Sequence, residues 1–242
     1  MKIIAGNMHF QKLNEAIRDS REDDILLVNC EGQRYIASGM SQKRIVIENG
    51  VPGNALGAYL NGSRIEVKGN AQDATGDTMN GGEIIIHGSS GDATGYAMRG
   101  GRIFVRGNAG YRAGIHMKAY QEQQPLLVIG GCAGSFLGEY QAGGTIIVLG
   151  LGCDQEIPVG GMCGTGMHGG RMFIRCERLP DDLPEQIVAE RANEEDMASI
   201  DNDLDEFCHE FCVDKKEICA GSFYVLRPNS KNPYKALYTY NP

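Results

Sequence analysis

The sequence lacks any excess of basic residues, any leader-like segment and any long apolar run. Its 23 Lys and Arg residues against 31 Asp and Glu residues give a formal net charge of −8. Such a chain has no basic surface to neutralise phosphates, which argues against a nucleic-acid or acidic-membrane partner. The amino terminus, MKIIAGNMHFQKLNEAIRDS, has no uninterrupted apolar core, and no apolar run reaches membrane-spanning length. We therefore expect a cytoplasmic protein without a membrane partner.

Proline is scarce, whereas glycine is about twice as frequent as in ordinary proteins. The chain has 8 Pro and 34 Gly among its 242 residues. No Gly-X-Y period is present, which excludes collagen, and low-complexity disorder is also a poor interpretation. Glycine at this frequency therefore indicates turns in a folded chain.

A pattern of glycine turn followed by apolar run recurs about every 20 residues. In GDTMNGGEIIIHG and in GYAMRGGRIFVRG, a Gly-Gly pair precedes a short apolar run. Short β-branched runs closed by glycine or a small polar residue are typical of strands. The period is too short for helical repeats and suits one coil of a β-helix. The runs begin at Ile45, Ile65, Ile84, Ile103, Leu126, Ile146 and Met172.

The repeat predicts an all-β core, a single-stranded parallel β-helix of about seven coils over residues 45–176. An amino-terminal cap over 1–44, with a short helix near Phe10–Asp19, and an acidic helical and irregular tail over 177–242 are expected to cover its open ends. The chain must bend sharply between strands, often with a positive φ that favours glycine. The turn glycines are Gly57, Gly62, Gly76, Gly81, Gly82, Gly95, Gly100, Gly101, Gly114, Gly138, Gly143, Gly144, Gly164, Gly169 and Gly170.

One repeat position holds methionine or leucine in every coil except at Gln141. We expect this column to be flexible core filler inside the coil rather than a cofactor channel. Its members are Leu60, Met79, Met98, Met117 and Met167.

The middle residue of each apolar run is expected to face outward, because side chains alternate along a strand. An outward apolar stripe should be covered, either by the chain's own terminal segments or by a partner subunit. The partner-interface candidates are Ile85, Phe104, Leu127, Ile147 and Phe173.

Residue types that usually carry catalysis form no recognisable constellation. Gly164, Gly166 and Gly169 formally fit a dinucleotide fingerprint, but a strand rather than a helix is expected after them. Asp73 and Asp92 occupy equivalent positions in adjacent coils and could form a carboxylate pair or a calcium site. The sequence Asp-Ala-Thr-Gly is more typical of a turn in which Asp bonds its own backbone. We predict no catalytic residue and no cofactor site on this chain.

The eight cysteines are expected to be free thiols rather than a disulfide framework. One group should behave as small buried hydrophobes: Cys30, Cys132, Cys153, Cys163 and Cys176. Cys208, Cys212 and Cys219, with His209, are the candidate ligands for zinc or an iron–sulfur cluster. Their spacing matches no standard Cys-x2-Cys pair, so structural thiols are favoured and no metal site is predicted.

The repeats resemble the GXGXG domain, the carboxy-terminal β-helix of the large subunit of glutamate synthase. The resemblance covers residues 24–176 and is carried by the pattern G-x-x-M-x-G-G-x-I-x-V-x-G, as in GNALGAYLNGSRIEVKGNAQDATGDTMNGGEIIIHG. Related subunits are the C subunit of formylmethanofuran dehydrogenase and its counterpart in glutamate-dependent methylamine-transfer enzymes. The resemblance implies a right-handed solenoid without catalytic residues, bracing catalytic domains around an ammonia tunnel.

What the resemblance implies for function is a free-standing, non-catalytic scaffold subunit of a glutamate-synthase-like complex. Its partners would be a glutamine amidotransferase and an FMN-dependent synthase with an iron–sulfur cluster, which together deliver ammonia to 2-oxoglutarate. One alternative is a subunit of a formylmethanofuran dehydrogenase or methylamine-transfer complex. Another is a free-standing metal-binding protein that uses the carboxyl-terminal cysteines. Self-association of the chain also stays open.

Overall fold

The computed structural model describes residues 1–229 and shows a parallel β-solenoid of about seven turns, which confirms the predicted fold class. The strands are β1 (Lys2–Gly6), β2 (Asp24–Cys30), β3 (Arg44–Glu48), β4 (Asn61–Val67), β5 (Gly81–Ile86), β6 (Arg102–Val105), β7 (Leu126–Ile129), β8 (Ala142–Val148), β9 (Gly169–Arg175), β10 (Ile187–Arg191) and β11 (Phe223–Pro228). The helices are α1 (Phe10–Asp19), α2 (Glu194–Ala198), α3 (Asp201–Phe211) and α4 (Lys215–Cys219). All seven predicted apolar runs are strands.

The strands form one sheet in the order β1-β2-β3-β4-β5-β6-β7-β8-β9-β11-β10. From β1 to β9 each strand pairs in parallel with the next, so equivalent residues of successive coils stack; Ile65, for example, pairs with Ile45 and with Ile84. Each strand thereby satisfies the backbone hydrogen bonds of its neighbours.

The Gly-Gly pairs at the corners serve two different needs. The second glycine adopts a left-handed backbone, as at Gly82 with φ of +92°. The first lies close to the preceding coil: a Cβ at Gly100 would come within 2.4 Å of the Asn80 carbonyl oxygen. Both positions therefore select against a side chain, except at Gly81, where the nearest atom to a Cβ would lie at 3.7 Å.

The coil interior is filled by aliphatic side chains and by the predicted methionine column. Met79, Met98 and Met117 are fully buried, as expected of core filler. Gln141, the exception in the column, is also fully buried, and its Nε2 donates to the carbonyl oxygens of Gly143 and Gly144, both at 3.2 Å. These hydrogen bonds satisfy the amide nitrogen, whereas the buried Oε1 has no hydrogen-bond partner among the described residues.

Both ends of the solenoid are closed by elements of the same chain. Helix α1 lies at its predicted position and packs Leu13 and Ile17 into the interior at the β1 end. Strands β1 and β2, within the segment 1–44 assigned as a cap, extend the parallel stack. No helix among residues 1–229 combines the length and the apolar character that a membrane span requires.

The carboxyl-terminal segment contains the expected helices, α2, α3 and α4, and it also contains two strands that were not expected. Strand β11 pairs antiparallel with β9, and β10 pairs antiparallel with β11, so the tail adds two strands to the sheet. An open strand edge at β9 would leave backbone donors and acceptors unpaired, and β11 satisfies them. The proline- and tyrosine-rich end of the predicted tail, residues 230–242, lies outside the described residues.

Candidate functional site

The outer face of the sheet carries a continuous column of apolar side chains from β5 to β9. Ile85 pairs with Phe104, Phe104 with Val128, Val128 with Ile147 and Ile147 with Phe173. We call these five residues the apolar column. All five are fully buried, and they form one cluster with helix residues of the tail: Ile200, Leu204, Phe207, Cys208, Phe211 and Ile218. The chain's own tail therefore covers this face.

This finding corrects the assignment of the stripe as a partner interface. Ile85, Phe104, Ile147 and Phe173 are fully buried beneath the tail helices, so a partner does not reach them in this structure.

The fifth interface candidate, Leu127, belongs to the interior cluster rather than to the outer face. It pairs with Ile103 and Ile146, and Val128 takes the outward position. The physical reason is the register: β7 begins with Leu126 opposite Arg102, and the run LLVI is apolar throughout, so its own pattern does not reveal its phase.

The sequence of α3 favours both the formation of a helix and its packing on the sheet. Leu204, Phe207 and Phe211 recur at helical spacing and are buried on one face. Asp201 and Asp203 in the first turn complement the positive end of the helix dipole. The helix ends at Phe211, because the following residue, Cys212, has a left-handed φ of +52° that breaks the helical path.

An ion-pair network fixes α3 along one border of the apolar column. The Arg64 guanidinium donates to Glu210 at 2.9 Å and also pairs with Glu83. Arg102, two strands away, pairs with Glu206, one helical turn before Glu210. The arginines lie on the sheet and two of their partners on the helix, so these pairs specify where the helix lies.

The pKa values of Glu83 and Arg64 are both raised, although the contributions to each oppose one another. Burial raises the pKa of Glu83, and the nearby Glu210 carboxylate adds to that rise, while Arg64 acts against it. Burial acts to lower the pKa of Arg64, yet the hydrogen bond that Arg64 donates to Glu210 and the charge of Glu83 outweigh it, and the pKa is raised. Because Glu83 and Glu210 share one guanidinium, the charge of Arg64 does not offset the burial of Glu83, and the pKa of Glu83 stays raised.

Sequence reasoning missed these residues, although a signal was present. An arginine directly precedes the first inward residue in KRIVI, SRIEV, GRIFV and GRMFI. Glu206 and Glu210 are four residues apart in a segment predicted to be helical, which places both on one helix face. The sequence thus contains a row of arginines on the β-helix and an acidic face on a helix, and these two features can pair.

The helical cover stops near β5, and the face beyond it is open. Phe211, at the end of α3, contacts the His87 ring edge-on with the ring centroids 5.4 Å apart. Past this point a groove of about 520 Å³ runs over β2, β3 and β4. Residues that line it include Leu26, Arg44, Val46, Glu48, Arg64 and Glu66.

Glu66 marks the boundary between the covered and the open parts of the face. Its Oε1 lies 2.8 Å from His87 Nε2 and also accepts from Lys68. Burial acts to raise the pKa of Glu66, but the hydrogen bonds from Lys68 and His87 outweigh it, so the pKa is lowered. The carboxylate is therefore held in its ionised form.

The aspartates considered as a carboxylate pair serve the corner instead. Asp73 Oδ1 accepts from the backbone N–H of Asp92 at 2.9 Å, and Asp92 Oδ1 accepts from that of Tyr111 at 2.8 Å. Each side chain thus bonds the next coil, whereas the sequence predicted a bond to its own backbone. Stacking of coils brings that donor closer than any local one.

The structure joins Cys132 and Cys153 by a disulfide, which corrects their assignment as free thiols. Their Cα atoms are 6.0 Å apart because the insertion that begins after β8 returns to the preceding corner. Cys30, Cys163 and Cys176 are buried free thiols as predicted, and burial raises their pKa values to about 11, about 12 and about 11.

The candidate metal ligands are dispersed between two environments. Cys208 packs in the outer apolar cluster, whereas Cys212 and Cys219 are exposed at the ends of α3 and α4. Among residues 1–229 no group of three or more His, Cys, Asp or Glu side chains is arranged to hold a metal ion.

Comparisons with known proteins extend these observations. The family described as GXGXG motif matches residues 20–227. An uncharacterized protein of Methanocaldococcus jannaschii is 47% identical over 249 residues, covering 98% of this chain and 95% of the relative. A chain of the formyltransferase/hydrolase complex of Methylorubrum extorquens, solved in complex with methylofuran, superposes with a TM-score of 0.63 at 20% identity, over 84% of this chain and 72% of that chain. At that identity the likeness shows the fold.

Proposed function

Because the chain belongs to the GXGXG motif family, we propose that it is a non-catalytic scaffold subunit of a multi-subunit enzyme complex. The observation that carries the proposal is the filled solenoid: aliphatic and methionine side chains occupy its interior, and only its outer surfaces are left for contact. Solenoids characteristically use such extended surfaces to bind other proteins.

The first candidate for the complex is of the glutamate synthase type. It is supported by the resemblance of residues 24–176 to the β-helix of that enzyme. In this complex the partner chains would be a glutamine amidotransferase and a synthase that carries FMN and an iron–sulfur cluster. This chain would hold them at a fixed distance so that ammonia passes to 2-oxoglutarate.

The second candidate is a complex that acts on formyl groups. It is supported by the fold shared with a chain of the formyltransferase/hydrolase complex, which was solved with methylofuran. The two candidates place different catalytic chains on the same kind of solenoid, so the identity of the partners separates them.

Affinity purification of the tagged full chain from its native source, followed by mass spectrometry, tests the proposal. A stoichiometric amidotransferase and flavoprotein, with glutamine-dependent glutamate formation in the eluate, is the result expected for the first candidate. Formyl-transferring chains are expected for the second. A chain that purifies alone at physiological salt, or that hydrolyses glutamine by itself, would overturn the scaffold role.

A further inference from the structure

Helix α3 shows how this sheet binds a helix, because it contacts two parallel columns of side chains on the sheet. Leu204, Phe207 and Phe211 pack on the apolar column, and the acidic residues of α3 pair with the row of residues beside that column. In that row Arg64 stacks between Arg44 and Glu83, and Glu83 stacks on Arg102. A helix that docks here therefore needs an apolar face flanked by carboxylates spaced four residues apart.

Both columns continue beyond the end of α3. Val46 pairs with Leu26 and with Glu66 in line with the apolar column, and both Val46 and Leu26 are only half-buried. Arg44 extends the basic row and is 69% exposed; its only partner among the described residues is the equally exposed Asp24. The groove over β2, β3 and β4 thus extends, without a cover, the surface that α3 occupies, with Glu66 at the column position on β4 and Asp24 at the row position on β2.

We propose that this groove binds an amphipathic helix of a partner subunit, with apolar side chains on Leu26 and Val46 and a carboxylate on Arg44. The proposal rests on the scaffold function and names the surface that serves it. Glu48 and Glu66 line the opposite border. Glu66 is already held by Lys68 and His87, so the flank toward Glu48 should be neutral or basic. The bound helix would extend the layer of helices on this face beyond the end of α3.

The chain's own carboxyl-terminal residues fit the groove poorly. Residues 230–242 contain Lys231 and Lys235 and no acidic residue, so they offer the basic row no carboxylate side chain. They follow β11, which lies seven strand positions away from β3 in the sheet. The charge of this segment therefore favours a partner chain as the occupant.

A peptide of residues 200–214, carrying Cys208→Ser and Cys212→Ser, is a direct probe, because it presents the chemistry of α3. Fluorescence anisotropy of the labelled peptide with the intact chain is expected to show saturable binding below about 1 mM. Arg44→Glu should weaken binding about tenfold, and Glu206→Lys with Glu210→Lys in the peptide should restore it. The matched control is Val188→Asp on β10, an exposed valine outside the groove. Absence of saturable binding, or binding that Arg44→Glu leaves unchanged, would overturn the proposal.

Thiol labelling in the native complex separates this proposal from the scaffold function itself. With the exposed thiols removed by Cys212→Ser and Cys219→Ser, the thiol introduced by Val46→Cys should react with maleimide in the isolated chain and be protected in the complex, whereas that of Val188→Cys should react in both. If the complex forms and both thiols react, the groove is not the docking site although the scaffold function stands. If no complex forms but the peptide binds through Arg44, the scaffold function fails and helix binding stands. If the chain forms a dimer that Val46→Asp dissociates, a second copy occupies the groove. If deleting residues 230–242 removes the protection of the thiol, the chain's own end occupies it. Either result would overturn the proposal.

Discussion

The ring of Phe207 lies against the backbone of Gly130, so close that a Cβ at Gly130 would come within 2.8 Å of Phe207 Cζ. Gly130 directly follows β7, and Phe207 lies in α3. The same Cβ would lie 2.2 Å from the carbonyl oxygen of Arg106 in the preceding coil. One missing side chain thus permits both the stacking of two coils and the docking of the helix that covers them.

Gly130→Ala is expected to lower the free energy of unfolding by about 1–3 kcal/mol, because the methyl group overpacks against backbone and ring together. Urea denaturation followed by circular dichroism measures the change. Gly69→Ala is the matched control, since its Cβ would meet only the Gly50 carbonyl oxygen at 3.8 Å. Equal urea midpoints for the two variants would contradict this account of Gly130.

Phe207→Ala is expected to cost about 3–5 kcal/mol of unfolding free energy, because it removes a fully buried ring from the interface between helix and sheet. Limited proteolysis should also release the segment after β10 earlier than in the parent chain. His209→Ala, on the same helix with a side chain 87% exposed, should change the stability by less than about 0.5 kcal/mol. Similar losses in both variants would show that α3 does not anchor the tail.

Glu83 and Glu66 are expected to give opposite pH dependences of stability. The pKa of Glu83 is raised in the folded chain, so its protonated form stabilises the fold, and that contribution is lost as the pH rises above 4.5. Glu83→Gln should therefore gain stability relative to the parent chain as the pH rises from 4.5 to 7. Urea midpoints measured across this range give the difference directly.

The pKa of Glu66 is lowered, so its ionised form stabilises the fold above 4.5, and that contribution is lost as the pH falls through the folded-state value. Glu66→Gln should be less stable than the parent chain at pH 7, with the gap closing in acid. The two variants serve as controls for each other. A shift of the same sign in both would refute the assigned environments.

The disulfide between Cys132 and Cys153 predicts a definite thiol count. Alkylation of the denatured chain without reductant should modify six of the eight cysteines, and all eight after reduction. Cys132→Ser should give seven modified cysteines without reductant, because Cys153 is released. Its unfolding free energy should fall by about 3 kcal/mol for a loop of this length. Eight modified cysteines before reduction would disprove the bond.

Local sequence patterns predicted the solenoid and its contents. The Gly-Gly pairs and the β-branched runs have one common solution, since glycine fits the tightest corners and alternating aliphatic residues fill the interior. Helix α1 also lies where its sequence indicated, because Leu13 and Ile17 recur at helical spacing. These features depend on residues close together in the chain.

Long-range pairing decided what the sequence left open. The neighbouring strands set which residues of LLVI face inward, and they placed Leu127 in the interior. The free edge of β9 made Phe223–Pro228 a strand, and Ile187–Arg191 pairs with it as a strand where the sequence predicted helix or irregular structure. The cover of the apolar column, the ion pairs of α3 and the disulfide all join segments that are distant in sequence. The amino-acid sequence by itself determined the repeating coil, because each coil solves the same local problem of turning and burial. Which segment covers the outer face, and where that cover stops, was decided only by the folded chain, because a local pattern does not specify which distant segment it contacts.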